Sequence, residues 1–250
     1  MIRVAAVGDL HLADDGAARW REALAPVSDD ADLLLVAGDL TRLGTLDEAR
    51  AVAHALAPVS IPVFAVLGNH DYHAGDEGAV RAVLADRGVR VLEGEGEVID
   101  VHSTRVGVAG SKGFGGGFAN ACGSDFGEPE MKAFIRHTQA LAARFGAALR
   151  ALEADRRIAL LHYAPIATTL HGERLEIYPF LGSYLLAEAV DGAGADLVVH
   201  GHAHAGREKG VTPGGVRVRN VAQPVIRSAY RVYCLNGGDG IDCAPEPSGA

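Results

Sequence analysis

The sequence between residues 63 and 71 reads Val63-Phe64-Ala65-Val66-Leu67-Gly68-Asn69-His70-Asp71. Its first five residues form an apolar run with the length and composition of a buried strand, and the glycine that follows permits a tight turn. The turn then carries an amide, an imidazole and a carboxylate in succession, a density of functional groups that stability alone does not require. We interpret the segment as a buried strand that ends at a functional site.

Apolar runs alternate with stretches of helical length throughout the first third of the chain. The predicted strands are residues 2–7, 32–37 and 62–67, and the predicted helices are residues 16–25, 46–56 and 78–87. This βαβαβ order predicts parallel strands covered by helices. After Val89 the helices disappear, and residues 97–101 and 105–109 follow one another as antiparallel strands do.

The rest of the chain continues the mixture of strands and helices. A glycine-rich loop at residues 113–118, interpreted as either a flexible lid or a long connector, precedes a predicted helix at residues 128–155 with Pro129 in its first turn. Further predicted elements are strands at 157–161, 196–199, 216–221 and 230–235 and a helix at 184–190. We expect one domain over residues 1–235 and a poorly ordered, exposed tail at residues 236–250.

Composition and charge exclude several classes of function. The formal net charge is -9, and no basic surface is expected that could follow a nucleic-acid backbone, so stable nucleic-acid binding is not expected. Three cysteines are too few for a disulfide framework in a chain of 250 residues. With no export segment and no run of membrane-spanning length, we expect a soluble, cytoplasmic protein without a membrane partner.

Five apolar runs, each interpreted as a strand, end at residues able to bind a metal. Because ligands gather at the carboxyl ends of strands in open α/β sheets, we expect these endings to be neighbours in space. The residues at the endings are Asp9 and His11, Asp39, Asn69 with His70 and Asp71, His162, and His202 with His204. Because residues two apart in an extended chain point to the same side, we expect Asp9 and His11 to converge on one ion. Taken singly, most have a structural explanation: Asp9 or Asp39 as a cap, and His162 as a core histidine.

Several other polar residues fit none of these motifs. His73, His102, His137 and His171 are interpreted as surface or loop histidines, and His200 as a residue that faces away from the site or supports it. Lys112 and Arg227 could reach a phosphate, but single basic residues are usually solvated surface groups.

The order D-x-H, G-D, G-N-H-D, H, G-H-x-H, each part behind a strand, resembles that of the calcineurin-like metallophosphoesterases from Val4 to His204. The resemblance implies a four-layer α/β/β/α sandwich of two mixed sheets with a dinuclear metal site at the strand ends. It implies that one metal is bound by Asp9, His11 and His204, the other by Asn69, His162 and His202, and that Asp39 bridges them. It also implies His70 as the catalytic residue that contacts the phosphate, with Asp71 orienting it.

The implied reaction is hydrolysis of a small phosphomonoester or phosphodiester by in-line attack of a metal-bound hydroxide. Mixed Asp, Asn and His ligands suit Mn²⁺, Fe or Zn²⁺. The segment Gly38–Gly44 lacks the longer motif of protein Ser/Thr phosphatases, and Gly-Asn-His-Asp is closer to a bacterial phosphodiesterase-like branch. A scaffold that keeps the fold without catalysis and a nuclease are the alternatives, and the oligomeric state stays open.

Overall fold

The computed structural model describes residues 1–13 and 16–235, so the predicted tail at residues 236–250 lies outside the described residues. The strands are β1 Ile2–Val7, β2 Leu33–Ala37, β3 Val63–Val66, β4 Val89–Val91, β5 Glu95–Val101, β6 Thr104–Ser111, β7 Gly117–Phe118, β8 Ala121–Cys122, β9 Arg156–Leu161, β10 Leu197–His200, β11 Lys209–Val211, β12 Arg217–Asn220 and β13 Arg231–Leu235. The helices are α1 Ala17–Leu24, α2 Val27–Asp30, α3 Leu46–Ala55, α4 Glu77–Ala85, α5 Pro129–Ala151, α6 Tyr178–Leu181, α7 Tyr184–Ala193 and α8 Gln223–Ile226. Short 3-10 helices cover His70–Tyr72, Ala167–Leu170 and Leu175–Ile177.

Two large sheets, both of mixed direction, form the centre of the molecule. The first has the order β13-β1-β2-β3-β4, in which only β13 runs antiparallel to its neighbour. The second has the order β11-β12-β10-β9-β6-β5, with antiparallel strands at both edges and parallel pairing between β12 and β6. In each sheet the parallel strands therefore end at a common edge.

The sheets pack face to face, with helices on their outer faces. Side chains of both sheets meet in one apolar core, where Phe64 of β3 and Val108 of β6 are fully buried. Helices α1, α3 and α4 pack beside one another on the first sheet, and α5 and α7 cover the second. The four-layer α/β/β/α sandwich is thus confirmed. Continuous apolar runs such as β2 are explained by burial on both faces.

The structure adds elements that the sequence pattern did not predict. The edge strand β11, the hairpin of β7 and β8, and the short helices α6 and α8 are absent from the predicted series. The glycine-rich loop is a packed connector rather than a flexible lid, because Gly115, Gly116 and the β7 residues are buried. A methyl group at Gly115 would approach the carbonyl oxygen of Pro179 to 2.6 Å, so the loop fits closely against α6.

Among the cysteines that the structure describes, Cys122 is free and exposed. None of the helices in the described part of the chain is both long and apolar enough to cross a membrane.

Candidate metal centre

The predicted strand ends converge at one edge of the sandwich. There, ligand atoms fall into three groups, in each of which the atoms all lie within 4.8 Å of one another: Asp9, His11 and His204; His11, Asp39 and His70; and Asp39, His162 and His202. The side chain of Asn69 joins the last group, because its Oδ1 lies 3.0 Å from Nε2 of His162. All seven side chains predicted as metal ligands therefore lie together, with His70 beside them.

Four of these residues have backbone conformations that side chains rarely adopt. The φ angles of Asp9, His11, Asp39 and His202 are 59°, 43°, 49° and 69°, in the left-handed region. The expectation that Asp9 and His11 converge because an extended chain alternates its side chains is therefore wrong: tight turns direct them. Since each such residue costs about 1–3 kcal/mol, backbone strain is concentrated at this cluster.

Hydrogen bonds from the main chain join these turns to one another. The amide nitrogen of Asp9 donates to the carbonyl of Gly38 at 2.9 Å, and that of His11 donates to the carbonyl of Asp39 at 3.0 Å. The carboxylates accept in turn: Asp9 from the amide of His202 at 3.0 Å, and Asp39 Oδ1 from the amide of His70 at 2.9 Å. Main-chain hydrogen bonds therefore hold the turns that carry the donor set in fixed positions relative to one another.

The protonation of the cluster suits cation binding. Burial raises the pKa of Asp9 to about 6 and lowers the pKa values of His162 and His202 to about 3, so both imidazoles are neutral at pH 7. Two imidazole nitrogens, Nε2 of His11 and Nε2 of His204, face each other at 3.4 Å. Neutral imidazoles and buried carboxylates aimed at a common space are the donors that transition metals prefer.

The tautomer of His162 is set by its surroundings. Its Nδ1–H donates to the carbonyl oxygen of Ala37 at 2.9 Å, which leaves the lone pair of Nε2 directed at Asn69 and Asp39. This is the arrangement by which proteins orient a histidine ligand. A methyl group at Gly38 would collide with the imidazole of His162, so the glycine before Asp39 is required by this contact as well as by its φ of 82°.

His70 and Asp71 are hydrogen-bonded to different partners and not, as the sequence had indicated, to each other. Nδ1–H of His70 donates to the carbonyl oxygen of Arg42 at 2.8 Å, so Nε2 is free to face a ligand. The carboxylate of Asp71 does not contact this imidazole; it accepts from the amide nitrogens of Leu40, Thr41 and Gly68 and from the Thr41 hydroxyl. The prediction that Asp71 orients His70 is therefore wrong, because a carbonyl of the neighbouring loop takes that place.

Asp71 instead fastens the loop after β2 to the loop after β3. It is fully buried, so we expect Asp71→Ala to leave several enclosed donors without acceptors and to lower the free energy of unfolding by about 2–4 kcal/mol. Urea unfolding of the metal-free protein measures this loss, with Asp71→Asn, which keeps one acceptor oxygen, as the milder control. Unchanged stability together with lost activity would instead indicate that Asp71 takes part in catalysis.

The structure places Lys112 next to this centre, which the interpretation as a solvated surface group missed. The residue is 8% exposed, and its carbonyl oxygen accepts the amide hydrogens of His162 and Tyr163. The missed signal is its position directly after β6, since the other strand endings also carry the functional residues. Arg227, in contrast, is exposed and belongs to none of the three groups.

The remaining histidines lie outside the centre. His73, His102, His137 and His171 are exposed and belong to none of the three groups. His200 is buried, with Nδ1 bonded to the carbonyl oxygen of Gly201 at 2.8 Å and Nε2 to the Thr169 hydroxyl at 2.9 Å. It therefore supports the turn that carries His202.

The sandwich, the strand-end cluster and the order of its residues together define a metallophosphoesterase. The family model of the calcineurin-like phosphoesterases matches residues 2–206, and the chain belongs to this family. Family membership supports a phosphoester hydrolase, and members typically use a dinuclear metal site. None of the curated proteins with which the chain was compared matches it.

Solved structures with the same fold include one enzyme, one hypothetical protein and one protein described as an anchor. The phosphopantetheinyl hydrolase of Mycobacterium tuberculosis is 17% identical, with a TM-score of 0.70 over 99% of this chain and 98% of that one. A hypothetical protein from Thermus thermophilus is 15% identical, with a TM-score of 0.55 over 96% of each chain. GAP50, the anchor in the inner membrane complex of Plasmodium, is 12% identical, with a TM-score of 0.57 over 93% of this chain and 80% of that one. At these identities the likeness shows the fold alone.

Proposed function

We propose that the chain, as one domain over residues 1–235, hydrolyses a small phosphoester with the help of two metal ions. One ion is held by Asp9, His11 and His204, and the other by Asn69, His162 and His202, with Asp39 shared between them. The observation that carries this proposal is the complete and converging donor set, in which Asp39 belongs to two of the three groups.

The chemistry divides between the metals and the protein. Metals held by these residues would lower the pKa of a water that serves as the nucleophile and would neutralise charge on the phosphoryl oxygens. The protein positions the substrate: Nε2 of His70 faces the cluster, with its ring 4.5 Å from that of His11. A proton on this nitrogen is the one we assign to the leaving oxygen, because the Arg42 carbonyl already accepts the Nδ1 hydrogen.

The substrate class is a small phosphomonoester or phosphodiester, and the metals are Mn, Fe or Zn. The proposed setting is the cytoplasm. The name of the M. tuberculosis structure makes a phosphopantetheinyl ester one reasonable candidate. Cyclic nucleotides and other phosphorylated metabolites are the further candidates.

The experiment that tests the function compares hydrolysis of 4-nitrophenyl phosphate and bis(4-nitrophenyl) phosphate by the Mn²⁺-loaded protein, followed by the candidate esters. Turnover of either aryl ester that disappears with EDTA and returns with Mn²⁺ supports the proposal. GAP50, a protein of the same fold, is described as an anchor, so turnover has to be measured directly. Metal binding without any turnover would favour the scaffold alternative, and cleavage of single-stranded DNA in preference to the small esters would favour the nuclease.

Metal removal gives a second, activity-independent prediction. A ligand at 1,000 times its Kd stabilises the folded state by about 4 kcal/mol per site, so with two sites we expect Mn²⁺ to raise the melting temperature of the EDTA-treated protein by roughly 15–30 °C. Thermal unfolding by calorimetry measures the shift. Ca²⁺, which prefers six to eight oxygen ligands, is the control and should give little effect at this imidazole-rich site. Equal melting temperatures with and without Mn²⁺ would contradict the proposed centre.

A further inference from the structure

Lys112 has an unusual environment for a lysine. Its side chain is buried among three aromatic rings, with Nζ 4.8 Å from the ring centre of Tyr72, 4.9 Å from that of Phe114 and 5.5 Å from that of Tyr163. We call these three residues the aromatic cage. Cation–π contacts of this kind favour the charged ammonium and hold it in place.

The aromatic cage provides no hydrogen-bond acceptor for the ammonium group. No hydrogen bond or ion pair joins Nζ to any residue in the described ranges, although Nζ has three hydrogens to donate. The nearby carboxylate of Glu93 is already engaged, since it accepts from the amide of Leu67 at 3.2 Å and from the Tyr72 hydroxyl at 3.1 Å. Part of the surface of Nζ is accessible, so solvent or a ligand can reach it.

The aromatic cage is continuous with the candidate metal centre. The ring of Tyr163 lies 4.3 Å from that of His202 and 5.5 Å from that of His162, and Tyr72 is in the same 3-10 turn as His70. One ring therefore separates the ammonium from two proposed metal ligands. Because the carbonyl oxygen of Lys112 also accepts from the amide nitrogens of His162 and Tyr163, its backbone is fixed relative to the centre.

We propose that Lys112 binds a second anionic group of the substrate, a phosphate or carboxylate on the part of the ester that leaves. The inference rests on the proposed hydrolase function. The metals would neutralise the phosphoryl group that reacts. The Lys112 ammonium, separated from the metal ligands by the ring of Tyr163, is placed to bind a second negative charge on the same substrate. That anion supplies the acceptor that Nζ lacks, in a partly desolvated position where charge-assisted hydrogen bonds are strong.

The test compares three aryl substrates that differ in the second anion: phenyl phosphate, 4-carboxyphenyl phosphate and 1,4-phenylene bisphosphate, or their methyl esters if the enzyme prefers diesters. We expect wild type to favour one or both charged substrates. Lys112→Met should lower kcat/KM on the favoured charged substrate by about 10- to 100-fold and on phenyl phosphate by less than about threefold. Lys112→Arg should keep part of the preference for charged substrates. The charged substrate whose kcat/KM falls more in Lys112→Met identifies the anion that Lys112 binds.

Binding provides the readout that a structural role would not change. Calorimetry with non-hydrolysable phenylphosphonate and benzene-1,4-bisphosphonate on the Mn²⁺-loaded protein should show the same selective loss in Lys112→Met. Lys209→Met, which removes a positive charge from the exposed β11, should behave as wild type. Equal losses on all substrates, or a wild type that hydrolyses them without preference, would overturn the inference. A wild type that hydrolyses none of them would instead overturn the proposed function.

Discussion

Replacement of Asp39 by asparagine should remove both metals and lower hydrolysis by about 10³-fold or more, because without the metals the nucleophile is ordinary water of pKa near 15.7. Asp39 is 1% exposed and is the carboxylate shared by two of the three donor groups. Asparagine tolerates the left-handed backbone at φ 49°, and its Oδ1 can still accept the amide hydrogen of His70. The loss therefore reports the missing charge rather than a misfolded loop.

The measurement is metal content by elemental analysis after gel filtration, together with kcat/KM. Asp32→Asn is the matched control, since Asp32 precedes β2 and Asp39 follows it. Nη2 of Arg3 lies 3.0 Å from Oδ1 of Asp32, and the hydrogen bonds from Arg3 outweigh burial and lower the pKa of the Asp32 carboxyl. Asp32→Asn should therefore lose some stability but keep both metals. Two Mn²⁺ ions per chain in Asp39→Asn would show that Asp39 does not bridge them.

Replacement of His70 should slow turnover by about 10²- to 10⁴-fold while metal content stays unchanged, the range expected for loss of a general acid. His70→Gln and His70→Ala should both lose more activity on phenyl esters than on 4-nitrophenyl esters, because the poorer leaving group depends more on protonation. Comparing kcat/KM for the two leaving groups in each variant measures this difference.

The neighbouring His73→Ala is the control, because His73 is exposed and lies in none of the metal groups. His70 itself belongs to a group with His11 and Asp39, so a role as a ligand is the competing explanation. Equal losses on both leaving groups combined with a missing metal would assign His70 to the metal shell and exclude it as the acid.

The extent to which sequence predicted the site depended on what each residue does. Asp9, His11, Asp39 and the later histidines were predictable because each ends an apolar run, and parallel strands bring their carboxyl ends to one edge. Lys112 ends such a run as well, but a single basic residue gives no pattern. The anion-binding role that we propose for Lys112 depends on three aromatic rings from separate segments, which come together only in the folded chain.

Local details were less predictable than the overall arrangement. The orientation of His70 is set by the carbonyl of Arg42, a group that every residue carries and that no sequence pattern marks. The same holds for the turn geometry of Asp9 and His11, where the strand period predicted convergence for the wrong reason. Edge elements such as β11 were missed because three residues of mixed polarity give no periodic signal.

The sequence by itself determined the alternation of strands and helices and the candidate ligands at the strand ends, because burial periodicity and the residue types at strand ends are local properties. The layered arrangement and the assignment of ligands to two metals came from the family resemblance. Tertiary structure decided which groups touch. Asp71 hydrogen-bonds the loops after β2 and β3 rather than His70, and Lys112 is buried among aromatic rings rather than exposed at the surface. The physical reason is that hydrogen-bond partners, desolvation and aromatic contacts arise between residues distant in the chain, and only the packed fold determines those distances.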